Sequence, residues 1–384
     1  MKHRLRLAAS LAVTAFFLWL ALRGVDWSEV WANLRGANPL WLALSILVAT
    51  LSIHVRALRW KVLLEPVDPH VAWAPRVAGT AVGMAANNLI PARVGEIVRG
   101  VVAARLAKLP FSAVLASLVV ERVLDGLATV GFLFAVMAWP GFPHPEQAGF
   151  VLGAVRIMAA AMAVVGAGLI ALAVMPARSV ALAERVIGGI LPRRLRGPVI
   201  ARLEEFIAGL AVLRNPRLLA LSVGWAVAQW LFIPLSIFFG FKAFGITEPG
   251  YVGAVFLQCA INLAVSVPSS PGFFGPLEYA ATKGLGLWGV DQARAVSFAI
   301  GYHLGGFTTV TLLGLWYVQR LDLSWRELIG TAEKGGAGDE EPPAAKSVGA
   351  SGDEKTAEVK PVGPGDERRG DGDAAAAATE RRRA

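Results

Sequence analysis

Three ionisable residues stand together where charge is costly. Glu121, Arg122 and Asp125 lie in "ERVLD", inside the apolar run 112–138. A charged side chain at the centre of a bilayer costs about 2.5–3.5 kcal/mol on insertion scales, so it is retained for a function or for a pairing. Glu121 and Asp125 are four residues apart and share a helix face, while Arg122 points to one side. Two roles fit: direct contact with a charged substrate, or an internal salt bridge to Arg93 or Arg99. A second polar stretch, "NNLIPARVGEIVRG" (87–100), follows an apolar run. Pro91 breaks a helix there, and Gly95 permits close backbone approach. Backbone N–H groups at the start of the returning helix, at its positive dipole end, favour an anion. Arg93 and Arg99 add fixed charge suited to phosphate. A third stretch, "PSSPGFFGPLE" (268–278), offers the same grammar. Ser269 and Ser270 supply hydroxyls, Pro268 and Pro271 break the chain, and Gly272 and Gly275 are hinge positions. An external turn rich in Pro and Gly is the plainer alternative, which the following Glu278 makes less attractive.

Asn87, Asn88, Arg93, Glu96, Arg99, Glu121, Arg122, Asp125, Ser269, Ser270 and Glu278 thus form the candidate headgroup site. His303 lies mid-block beside Tyr302, and the plainer role for it is a helix–helix hydrogen bond rather than a proton relay. Arg56 and Arg59, in "HVRALRW", are expected near the cytoplasmic interface, snorkelling or holding a lipid headgroup. Trp19, Trp41, Trp60 and Trp139 read as interface anchors.

The elements that must position these groups are membrane helices. Of 384 residues 55% are hydrophobic and 17% charged, and the mean hydropathy is +0.55. The apolar blocks are 5–22, 38–58, 71–90, 112–138, 150–175, 217–241, 252–267, 271–289 and 294–318. Blocks of ~20 residues are long enough to cross a ~30 Å hydrocarbon core. The expected fold is an all-α integral membrane protein spanning residues 1–326. Cys259 is the only cysteine, so neither an intrachain disulfide nor a cysteine-based zinc site is available. The five histidines lack metal-ligand spacing, and no cofactor is expected. The net charge of +9 does not point to nucleic acid, because the basic residues flank the apolar spans. The basic, apolar N-terminus resembles a signal peptide but reads better as an uncleaved first helix.

Lys and Arg set the orientation. With the N-terminus inside, eighteen of them fall on the cytoplasmic side and four outside. Both flanks of 71–90 are basic, and both flanks of 252–289 are poor in Lys and Arg. Each block is therefore expected to enter and turn back rather than cross, although two ordinary spans remain the alternative. The chain reads as two inverted halves, about 5–138 and 150–320, each with three spans and one broken re-entrant hairpin. An interrupted segment at matching positions of inverted halves points to a transporter's binding site. The connector, 176–216, carries an amphipathic pattern over 197–214 for the cytoplasmic leaflet. Residues 331–384 are rich in Gly, Pro, Ala and charge and are expected to be disordered.

"RALRWKVLL", "NNLIPARVGEIVRG", "ERVLDG" and "PSSPGFFGPLE" resemble the flippase-like transmembrane region of the lysylphosphatidylglycerol synthase/flippase family. The resemblance covers about residues 5–320. It implies lipid handling without the synthase domain. The expected function is a lipid flippase or transporter of the cytoplasmic membrane, moving an anionic or aminoacylated phospholipid through a midplane polar cavity. In that scheme the arginines hold the anion, and Glu121, Asp125 and Glu278 bind a cationic headgroup part or carry protons. The alternative is a membrane-embedded accessory factor or enzyme of lipid-linked glycan or cell-envelope assembly. Expected partners are membrane lipids and a separate cytoplasmic lipid-modifying or glycosyltransferase enzyme. A catalytic constellation is not visible in the sequence, and no enzymatic step is expected.

Overall fold

The computed structural model describes residues 2–90, 94–143, 149–266 and 271–333. Pro91, Arg93, Pro268, Ser269 and Ser270 lie outside the described residues, as does the tail from 334 onward. All regular structure among the described residues is helical. The helices run α1 (Lys2–Leu22), α2 (Trp27–Gly36), α3 (Pro39–Leu64), α4 (Trp73–Leu89), α5 (Gly95–Ala107), α6 (Phe111–Met137), α7 (Gly149–Val174) and α8 (Pro176–Ile190). They continue as α9 (Arg193–Gly209), α10 (Pro216–Phe232), α11 (Pro234–Ala243), α12 (Gly250–Ala264), α13 (Pro276–Gly286), α14 (Gln292–Arg320) and α15 (Trp325–Glu333).

Among the described residues four segments have the length and apolar content of a membrane span: Pro39–Leu64, Leu152–Val174, Pro216–Ala243 and Gln292–Arg320. A fifth is reached if Leu11–Leu22 and Trp27–Gly36, bent by 86°, count as one. Helix α6 has 27 residues, enough to cross, but carries Glu121, Arg122 and Asp125. Large apolar side chains face outward on the long helices, including Leu47 on α3, Ile157 and Val164 on α7, Val227 on α10 and Leu312 on α14. On helices of this length, such a surface suits contact with lipid. The chain is a multi-pass integral membrane protein.

Helices α4 and α5, of 17 and 13 residues, and α12 and α13, of 15 and 11, are all shorter than the ~20 residues that cross the hydrocarbon core. Each pair folds back on itself. In the first hairpin a methyl group added at Gly83 would lie 2.6 Å from the Gly95 carbonyl, and one at Gly79 would lie 3.0 Å from the Arg99 carbonyl. Gly95 itself sits 2.1 Å, by the same measure, from the Gly83 carbonyl. Glycines on facing helices thus let the two backbones touch. In the second hairpin Gly284 of α13 meets Leu257 of α12, and Gly253 of α12 meets Trp288 just beyond α13.

The hairpins are braced crosswise. Helix α14 packs along α4, where Gly314 fits against Ala81 and Ala85, and α6 packs along α12. Asn88 Nδ2 on α4 donates to Thr311 Oγ1 on α14 at 2.9 Å. Asn262 Nδ2 on α12 donates to Thr129 Oγ1 on α6 at 2.8 Å.

Two boundaries differ from the sequence reading. The connector is a helical pair, α8 and α9, and the amphipathic 197–214 pattern breaks at Leu210, where a 3-10 turn (Leu210–Arg214) begins. Ile207 and Leu210 are buried, because Gly209 lets this corner seat on Ala113 and Ala116 of α6. At the other end, α15 extends the folded domain past the expected limit at 326. Leu328 is fully buried, and Glu327 lies 3.6 Å from Arg105.

Candidate functional site

Helix α6 presents Glu121 and Asp125 on one face, and two other helices bring arginines to them. From α5, Arg99 grips Glu121 through two parallel hydrogen bonds of 2.8 and 3.0 Å. From α3, Arg56 Nε donates to Glu121 Oε1 at 3.0 Å. Arg59, one turn on, donates to Asp125 Oδ1 and to the Glu121 carbonyl. Arg122 folds back along its own helix to Glu121 at 2.7 Å and Asp125 at 2.9 Å, and reaches Glu96 at 3.6 Å. From α10, Trp230 Nε1 donates to Asp125 at 3.4 Å.

Glu121 has no exposed surface and serves three arginines at once. Taking such ions out of water costs several kcal/mol each, and only this density of charge-assisted bonds offsets it. Among the described residues four arginines face three carboxylates (Glu96, Glu121, Asp125), which leaves one positive charge in excess.

Two sequence expectations are corrected here. Arg59 does not snorkel to an interface. It is fully buried, because Asp125 stands opposite it. Trp60 is likewise fully buried rather than an interface anchor. Its Nε1 donates to Ser117 Oγ at 2.9 Å, and the Arg99 guanidinium lies 4.0 Å from its ring centre. Arg56, at 18% side-chain exposure, belongs to the same cluster. Arg122 is drawn onto the carboxylates that its helical position alone directs it away from. Trp19 and Trp139 do remain exposed.

The backbone N–H groups of the returning helices are partly taken. Asn87 Oδ1 accepts the Gly95 N–H at 2.9 Å, and Glu278 Oε2 accepts the Gly275 N–H at 2.6 Å. Gly95 opens α5 in helical geometry and packs against the Gly83 carbonyl. Gly272 (φ 75°) and Gly275 (φ 94°) do adopt the left-handed region that favours glycine. Pro271 opens a one-turn 3-10 segment, Pro271–Phe273.

Behind that turn, Glu278 and His303 are buried together, with Glu278 Oε1 2.5 Å from His303 Nδ1. The other ring nitrogen, Nε2, lies 2.7 Å from the Gly272 carbonyl. A carbonyl only accepts, so Nε2 donates to it, and a hydrogen bond joins Nδ1 to Oε1. His303 thus ties α14 to both the turn and the first turn of α13.

A cavity of about 310 Å³ lies where the two hairpins approach. Its wall includes Arg56, Asn87, Asn88, Glu96 and Arg122 from the first half of the chain. From the second half come Gly272 and His303. Arg99, Glu121, Asp125 and Glu278 stand behind this wall rather than in it. The sequence reading missed Gln229, Ser236, Gln258 and Tyr302, which line the cavity together with Asn262 and apolar residues such as Ile233, Ile261 and Phe307. The signal available was the presence of amides inside apolar blocks.

The chain was compared with known proteins. The model of the family described as "Lysylphosphatidylglycerol synthase TM region" matches residues 7–314. A Haloferax volcanii protein named glycosyltransferase AglD is 27% identical over 324 residues, covering 78% of this chain but only 52% of that protein. A UPF0104 membrane protein of Methanothermobacter thermautotrophicus is 23% identical, covering 82% of this chain and 95% of the relative. Another, of Pyrococcus horikoshii, is 22% identical, covering 82% and 96%. No solved structure matches. The broken hairpin, the charged sixth helix and the match over residues 7–314 agree, and the chain belongs to the lysylphosphatidylglycerol synthase transmembrane-region family.

Proposed function

We propose that this chain is a lipid transporter of the cytoplasmic membrane, whose cavity receives the headgroup of an anionic or aminoacylated phospholipid while the acyl chains stay in lipid. The observation that carries the reading is the cavity itself. Arginine side chains reach a chamber of mixed polar and apolar lining between two short hairpins, inside a bundle whose outer surface is apolar. The excess positive charge of the arginine cluster favours a phosphate there.

Two inverted halves, with N- and C-termini cytoplasmic, complete the proposal. In each half two long segments precede a broken hairpin and one long helix follows it: α1–α6 in the first, α7 and α10–α14 in the second. The reciprocal bonds Asn88–Thr311 and Asn262–Thr129 support this pairing of halves. The hairpins would then be re-entrant, and rocking of one half against the other would expose the cavity to either leaflet in turn.

The test uses the full chain in liposomes containing phosphatidylglycerol labelled on an acyl chain, with chemical quenching of the outer leaflet. Wild type is expected to move the label at least tenfold faster than Arg56→Ala/Arg122→Ala. Equal rates would overturn the reading. The name of the Haloferax relative supports a second reading, in which the chain serves lipid-linked glycan assembly beside a separate cytoplasmic enzyme. Lipid movement by the purified chain alone separates the two.

A further inference from the structure

The cavity has a second wall that the charge cluster does not explain. Gln229 of α10 is 2% exposed, and its Oε1 has no hydrogen-bond partner among the described residues, yet the side chain lines the cavity. Gln258 and Asn262 are four residues apart on α12 and also line it. Asn262 is held in orientation by its bond to Thr129. Ser236 and Tyr302 add a hydroxyl pair, 3.2 Å apart. This wall is uncharged and rich in groups that both donate and accept.

We infer that the headgroup taken by this cavity is a phosphodiester carrying an uncharged polyhydroxyl group, such as a polyol or a single sugar, and not a cationic aminoacyl ester. The inference rests on the transport reading above and narrows its substrate. Amide side chains match hydroxyls, offering a donor and an acceptor on one planar group. A buried amide oxygen left unpaired is satisfied when a ligand hydroxyl donates to it. An ammonium group, by contrast, needs an available carboxylate. Glu121 and Asp125 stand behind the wall and are saturated by arginines. Glu96 also lines the cavity, and although its Oε2 has no hydrogen-bond partner among the described residues, its charge is already offset by two arginines, Arg122 at 3.6 Å from Oε1 and Arg99 at 3.8 Å from Oε2. Arg56 and Arg122 face the same space and repel a cation. The volume, about 310 Å³, is at the small end of ligand pockets and suits one headgroup. A site built to hydrogen-bond hydroxyls discriminates strongly against a ligand lacking them.

The test measures binding of three short-chain lipids to the purified full chain in detergent micelles, by calorimetry. The lipids are dihexanoyl forms of phosphatidylinositol, phosphatidylmethanol and lysylphosphatidylglycerol. Phosphatidylinositol is expected to bind at least tenfold more tightly than phosphatidylmethanol, with the lysyl lipid weakest. Gln229→Leu is expected to bring phosphatidylinositol down to the phosphatidylmethanol level and to leave phosphatidylmethanol unchanged. Gln258→Leu serves the same purpose if Gln229→Leu does not fold. A lysyl lipid that binds as tightly as phosphatidylinositol would overturn the inference, as would an inositol preference that survives in the folded variants. Binding of none of the three would instead overturn the transport reading beneath it.

Discussion

The two hairpins share a plan and differ in what closes them. In the first, α4–α5, Asn87 of α4 accepts the first N–H of the returning helix, and the pair leans on a cluster of four arginines and three carboxylates. The second, α12–α13, caps its own returning helix with Glu278 and is closed by one histidine. Glu96, in the first turn of α5, faces the cavity, while Glu278, in the first turn of α13, is turned away and buried. Similar local sequence therefore supports two electrostatic designs. One is a many-bodied lattice that fixes the fold and leaves an excess charge at the cavity. The other is a single clasp with little redundancy.

The contrast is broken or sharpened by substitution, with the largest effect first. Glu121→Gln removes the buried charge that three arginines share, and breaking a buried ion network costs about 3–5 kcal/mol. Glu278→Gln loses one bond across the clasp and is expected to cost about 1–3 kcal/mol. Thermal unfolding in detergent should therefore show a clearly larger drop for the first, and equal drops would end the comparison. Next is Gly95→Ala, whose added methyl group would meet the Gly83 carbonyl and the Asn87 side chain. Overpacking of that kind costs about 1–3 kcal/mol. Cysteine pairs across α4 and α5 should cross-link more slowly in that variant, and an unchanged rate would show that the backbones do not need to touch. The smallest effects belong to Asn88→Ala and Asn262→Ala. Interhelical hydrogen bonds in membranes average about 0.6 kcal/mol, so each variant should lose that much stability and the two losses should be alike. A large difference between them would separate the two braces that look equivalent.

Much of this was legible in the sequence, because the signals were local. Apolar blocks became helices with ends shifted by a few residues. Gly275 announced the second turn, and "ERVLD" announced the charged sixth helix. The partners of that helix were not legible. Arg56 and Arg59 lie more than sixty residues from Glu121 and Asp125, and nothing in "HVRALRW" distinguishes a buried arginine from one at the lipid interface. Lys and Arg counts treat both as orientation signals. Arg59 and Arg99 were counted in that way, although the fold places both inside the bundle. Gln229 and Gln258 escaped notice for a different reason. A lone amide leaves the mean hydropathy of an apolar block positive, and its role depends on which way the helix turns.

The crosswise bracing has a consequence for biogenesis. The helix that steadies the first hairpin, α14, begins at Gln292, close to two hundred residues downstream of that hairpin. A ribosome therefore releases α4 and α5 into the membrane long before Thr311 and Gly314 exist to receive them. During that interval the arginine–carboxylate lattice, drawn entirely from α3, α5 and α6, is what can hold the hairpin in shape.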